Sequence, residues 1–205
     1  MHRIFILSPA KTNGKRASIL MSDRAEFALA KQLRTPGGAP LGDVFSFLSG
    51  LYFRGKHSYS NHFARPPRGF IGQYVITSHK GLLDPRESVD VSLLQTFANV
   101  PINTLEPRYT EPLRTSVNEL GRNLPVECEV VLLGSIATNK YSEILQERFG
   151  ARLMFPREFI GRGDMSRGGL LLRAVKADTE LEYVSLAGVE SCRGPRPPKL
   201  PSVGP

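Results

Sequence analysis

Cysteine is almost absent from this chain. The two present, Cys128 at the start of an apolar run and Cys192 near the end, form neither a disulfide framework nor a C-x-x-C metal pair. That usage fits a reducing compartment, and a cytoplasmic location is expected. The opening Met1-His2-Arg3-Ile4-Phe5-Ile6-Leu7 lacks the long apolar core and small-residue cleavage site of a signal peptide. Long hydrophobic runs are missing too. The longest uncharged one, Val44 to Phe53, is about half the roughly 20 residues that a bilayer crossing requires, so no membrane partner is expected.

Several catalytic signatures are missing as well. Without G-x-x-x-x-G-K-[ST] there is no P-loop, and Gly161-x-Gly163 with the later Gly168-Gly169 lacks G-x-G-x-x-G spacing. The four histidines, His2, His57, His62 and His79, have no zinc spacing such as H-E-x-x-H, and no G-x-S-x-G elbow occurs. Neither a metal nor a cofactor is expected.

What the chain does have is positive charge. Lys and Arg outnumber Asp and Glu by 27 to 19, for a net charge of +8 and a pI near 9.8. Such an excess favours an acidic partner, most often nucleic acid. With 205 residues and 40% hydrophobic content, a single α/β domain over 1–192 is expected. The Pro-rich tail 193–205 reads as disordered by composition.

Apolar runs place strands at Arg3 to Leu7, Gln73 to Thr77, Glu127 to Leu133, Arg152 to Phe155 and Leu181 to Leu186. Helices are expected from Asp23 to Leu33, where Asp23 and Glu26 have capping-box spacing, and from Asp43 along Val44, Phe47, Leu48, Leu51, Tyr52, Tyr59 and Phe63. Further helices follow from Thr110 to Leu120, with Pro112 in the first turn, and from Tyr141 to Phe149, stopping at Gly150. Residues 85 to 110 have no clear path beyond a short helix around Val91 to Phe97. The segment from Met165 to Lys176 reads as a helix capped by Asp164, or alternatively as part of a hairpin with the last strand. Alternation of strand and helix predicts a three-layer α/β fold around a mostly parallel central sheet of about five strands.

In such folds the strand-end loops gather where ligands bind. Three of them couple hydroxyls to cations: Ser8-Pro9-Ala10-Lys11-Thr12, Ser135-Ile136-Ala137-Thr138-Asn139-Lys140, and Arg162-Gly163-Asp164-Met165-Ser166-Arg167. A fourth polar loop holds Ser78, His79 and Lys80. The candidate anion site is therefore Ser8, Lys11, Thr12, His79, Lys80, Ser135, Thr138, Asn139, Lys140, Arg162, Ser166 and Arg167. Backbone N–H groups at a helix start, helped by Ser135, Thr138, Asn139 and Lys140, suit a phosphate or carboxylate. Helix capping and surface ion pairs, such as Arg167 with Asp164, are the structural alternatives. Arg54, Lys56, His57 and Tyr59 form a further basic and aromatic cluster of the kind that contacts nucleic acid, with core packing the alternative for Tyr52 and Tyr59.

The strings Ile6-Leu7-Ser8-Pro9-Ala10-Lys11-Thr12, Ile136-x-Thr138-Asn139-Lys140-Tyr141-x-Glu143-x-Leu145 and Arg162-Gly163-x-Met165-Ser166-Arg167 resemble, in order and in place relative to strands, the YaaA family of peroxide-stress proteins. The resemblance implies an α/β fold with a basic cleft, DNA binding and a part in limiting oxidative DNA damage. The family's helix-hairpin-helix has no counterpart here. Its Ser-Gly-Leu-Tyr-Gly motif corresponds in place to Thr77–Leu83, while the literal Ser49-Gly50-Leu51-Tyr52 string is expected within a helix. The expected partner is thus nucleic acid, DNA favoured, or a phosphorylated small molecule. The alternative is an enzyme acting on a nucleobase or nucleotide, as a glycosidic-bond hydrolase or base-modifying transferase. Lys11, His79, Asn139, Asp164 and Ser166 would then supply its chemistry.

Overall fold

A computed structural model describes residues 1–136, 139–188 and 198. In chain order the elements are β1 (Arg3–Leu7), α1 (Lys15–Leu20), α2 (Ala28–Leu33), β2 (Ala39–Pro40), α3 (Leu41–Ser49), α4 (Leu51–Phe63), β3 (Gln73–Ile76) and β4 (Leu82–Leu83). They continue with β5 (Ser88–Val89), α5 (Val91–Asn99), α6 (Pro107–Asn123), β6 (Glu129–Leu133), α7 (Ser142–Phe149), β7 (Leu153–Pro156), α8 (Asp164–Lys176) and β8 (Tyr183–Ser185).

The continuous apolar runs of β1 and β6 lie at the centre, as strands covered on both faces should. They pair in parallel from Arg3 opposite Glu129 to Leu7 opposite Leu133, and Ile4 to Leu7 and Val130 to Leu133 have no exposed surface. The six-stranded sheet runs β4-β3-β1-β6-β7-β8. Its four inner strands are parallel, and the short outer strands β4 and β8 are antiparallel. The expected mostly parallel α/β sheet is present, larger than foreseen by one antiparallel edge strand, β4.

The chain steps from β1 to β3 in one direction and from β6 to β7 in the other. Right-handed crossovers therefore put α4 and α7 on opposite faces of the sheet. α8 returns to pack along α4, and α6 lies beside α7. Residues 85 to 110, unreadable from the sequence, contribute β5, which pairs with β2 in a separate two-stranded sheet, and α5.

Several boundaries differ from expectation. Helix α2 begins at Ala28, and residues 23–27 do not form its first turns; α1 was not foreseen. Helix α6 starts one turn before the predicted Thr110, with Pro107 at its first position and Pro112 inside it. The buried ring of Tyr109 holds that first turn, and its hydroxyl donates to Lys140 O at 3.0 Å. Residues 164–176 are helical, which removes the hairpin alternative; Gly163 is the N-cap and Asp164 makes no capping bond. The single helix expected from Asp43 is two, α3 and α4, broken at Gly50, whose φ of 62° favours glycine. Thr138, Cys192 and all of the 193–205 tail except Pro198 lie outside the described residues.

Candidate functional site

The strand order reverses direction at β1, so the loops that leave β1 and β6 part to opposite sides of the sheet. A crevice opens there, at the topological switch point where α/β folds bind ligands. A cavity of about 560 Å³ occupies this place, within the range of small-molecule sites. Its floor is Ser8 to Asn13 after β1, with Ser135, Lys140 and Tyr141 after β6. One wall is Ser49 and Tyr52 from the α3–α4 junction and Asp164 from the start of α8; the other is apolar, with Phe97, Val100 and Ile102 from α5 and the segment after it.

The predicted residues divide. Ser8, Lys11, Thr12, Ser135 and Lys140 line the cavity. Lys11 and Lys140 are exposed at it, whereas Ser8 and Thr12 are buried. Asn139 sits beside the floor, and its amide donates to the Glu143 carboxylate. His79, Lys80, Arg162 and Ser166 are not among the described residues lining the cavity. His79 and Lys80 follow β3, where the turn packs toward α6 through Gly81. Arg162 bonds to Ser166 Oγ at 3.3 Å. Arg167 is buried below the wall: Nε and Nη2 donate to Phe159 O at 3.2 and 3.0 Å, and Nη1 lies 3.7 Å from Asp164.

The Ser49-Gly50-Leu51-Tyr52 string does not lie within a helix as expected. It forms the helix break, and both Ser49 and Tyr52 reach the cavity. The Arg54, Lys56, His57 and Tyr59 cluster also fails as a contact surface, because Lys56 and Tyr59 point into the core while Arg54 is exposed.

Lys56 is what the sequence reading missed at the site. It is 1% exposed, and its Nζ donates to Ser8 O at 2.6 Å and to Ser8 Oγ at 2.7 Å. The rings of Tyr52 and Phe53 lie 4.6 and 4.9 Å from the amine. Burial brings its pKa down to about 7; Asp164 opposes that shift and Arg167 adds to it. The signal was present in the spacing: Lys56 interrupts the stripe Tyr52, Tyr59, Phe63 at i+4 from Tyr52, where an apolar residue belongs.

Tyr141 closes the floor. Its hydroxyl donates to Ser135 O at 2.7 Å and accepts from Ser135 N at 2.9 Å, and burial pushes its pKa up to about 12. Gly134 is required beside it, since a Cβ there would come within 2.8 Å of the Tyr141 hydroxyl and 2.9 Å of Ser8 Cβ. Burial also raises the Tyr52 phenol above its ordinary value, and the Arg167 guanidinium opposes that shift. Among those residues, no three His, Cys, Asp or Glu side chains come together where they would hold a metal ion, and no helix is long and apolar enough to cross a membrane.

The molecule is thus an α/β protein with a half-polar, half-apolar cavity at its switch point. Neither a protein-family model, nor a curated protein, nor a solved structure matches the chain.

Proposed function

We propose that this is a YaaA-like cytoplasmic nucleic-acid-binding protein, linked to DNA damage or oxidative stress, that takes a nucleotide unit into the switch-point cavity. The observation that carries the reading is the pairing of two exposed cations, Lys11 and Lys140, with the hydroxyls of Ser8 and Thr12 around one cavity. A phosphate between the lysines gains charge-assisted hydrogen bonds. The apolar wall of Phe97, Val100 and Ile102 suits the flat face of a base. A net charge of +8 draws in a polyanion from a distance.

The cavity has the size of a small-molecule pocket, which favours a strand end or an unstacked nucleotide over the side of an intact duplex. Fluorescence anisotropy with labelled single-stranded and duplex DNA tests this. Single strands should bind more tightly, and affinity should fall steeply between about 50 and 200 mM salt as counterions are released. No binding of either form at low salt overturns the reading.

One observation favours the enzymatic alternative, action on a nucleobase or nucleotide. Asp164 is the one carboxylate among the described residues lining the cavity, placed to exchange a proton with a bound base or sugar. Release of free base from DNA or nucleotides, abolished in Asp164→Asn while binding persists, would establish it.

A further inference from the structure

We propose that Ser8 is a nucleophile and Lys56 the base that activates it, so that the cavity carries out acyl transfer on an ester whose alcohol half bears a phosphate. The inference shares the cavity of the nucleotide reading and rests on its being a ligand site.

Among the described residues, both hydrogen bonds of the Lys56 amine go to Ser8, one to its carbonyl and one to its hydroxyl. A buried amine whose hydrogen bonds go to one residue is a poor structural device, since an apolar residue would fill the space without the desolvation cost. It is a good chemical one. The bond to Ser8 O fixes the direction of the amine, and the bond to Oγ places it within proton-transfer reach of the hydroxyl of a residue that lines the cavity.

The groups facing Lys56 are the rings of Tyr52 and Phe53 on its own helix, Asp164 and Arg167 of α8, and Ser8 after β1. Desolvation outweighs Asp164, so a neutral amine is accessible near pH 7. Neutral Nζ still donates to Ser8 O while its lone pair accepts the Oγ proton.

Water is the only co-reactant that the reaction needs. Ser8 Oγ bonds to the ester carbonyl carbon, the carbonyl electron pair moves to oxygen, and the Oγ proton passes to Lys56 Nζ. As the tetrahedral centre collapses, the alcohol leaves and takes that proton. Water then attacks the acyl-serine, giving one proton to Lys56, which returns it to Ser8 Oγ as the acid departs. Lys11 and Lys140 would hold the phosphate.

An alkyl fluorophosphonate is the probe. Attack by Ser8 forms a P–O bond and expels fluoride, and intact-mass and peptide mass spectrometry locate the adduct. One adduct on the Ser8 peptide is expected, formed faster as pH rises through about 7, absent in Ser8→Ala and roughly 10²-fold slower in Lys56→Met. No adduct, an adduct elsewhere, or equal rates in Lys56→Met and the parent would overturn the proposal. Should Lys56→Met fail to fold by circular dichroism, the parent decides: a flat rate from pH 5.5 to 8.5 overturns it and a rising one supports it. DNA binding by anisotropy is measured separately. Labelling without DNA binding removes only the nucleotide reading, and DNA binding without labelling removes only the nucleophile.

Discussion

At the scale of single residues, Lys56 has a thermodynamic signature that falls in an accessible pH range. In the unfolded chain it holds its proton up to its ordinary pKa of 10.5, and in the folded one only up to about 7. Between those values the unfolded state binds more protons, so stability rises with pH across that window. Below pH 7 both states carry the proton, and the full penalty of burying the charge is present. Lys56→Met has no such term. Its urea-unfolding free energy relative to the parent should therefore be highest below pH 7. From there to pH 10 that difference should shrink at a rate approaching about 1.4 kcal/mol per pH unit. A difference that stays constant over that range would mean that Lys56 is not desolvated. In the sequence this residue is hidden by its neighbours: next to Arg54 and His57 it looks like one more surface cation, and only its place on the Tyr52, Tyr59, Phe63 stripe marks it as internal.

At the scale of elements, the site depends on how closely α4 and α8 approach. Gly55 and Gly168 face each other at the crossing: a Cβ on Gly55 would lie 2.7 Å from Gly168 O, and one on Gly168 would lie 2.7 Å from Leu51 O. Both contacts are to backbone, which cannot rotate away. Gly168→Ala should therefore destabilise the protein by about 1–3 kcal/mol through overpacking. Gly169→Ala, one residue on, meets nothing nearer than 3.6 Å and should be neutral or stabilising by up to about 1 kcal/mol, because alanine is the better helix former. Thermal melts of the two variants check the pair, and equal losses in both would deny the close crossing. Such approaches are not written in hydrophobic periodicity. The strands were legible because β1 and β6 are unbroken apolar runs. Helix α6 was misplaced by a turn because Pro112 reads as a start signal, whereas the packing of Tyr109 and the true first-turn Pro107 begin the helix earlier.

At the scale of the whole molecule, the order β3-β1-β6-β7 of the parallel strands decides which loops meet. The sequence pointed to the loops after β1 and β6 as candidates for one anion site, and residues of these two loops do share a cavity with the start of α8. The loop after β3 was expected there too, but β3 lies on the far side of β1 from β6, and His79 and Lys80 are not among the described residues that line the cavity. No local pattern announces strand order, so neighbouring loops were indistinguishable from remote ones. The opposite end of the sheet is held by Arg3, which pairs with Glu129 at 2.6 Å and with Glu180, an ion cluster that ties β1 to β6 and to the segment before β8. The proposed occupant of the switch-point cavity is a phosphate-bearing nucleotide. The most direct measurement is a ¹H–¹⁵N spectrum of the labelled protein titrated with a short single-stranded oligonucleotide. Amide shifts should concentrate at Lys11 to Asn13, Ser135, Lys140 and Asp164 and weaken in a Lys11→Ala, Lys140→Ala double variant. Shifts confined to the outer faces of α6 and α7, or unchanged in the double variant, would contradict it.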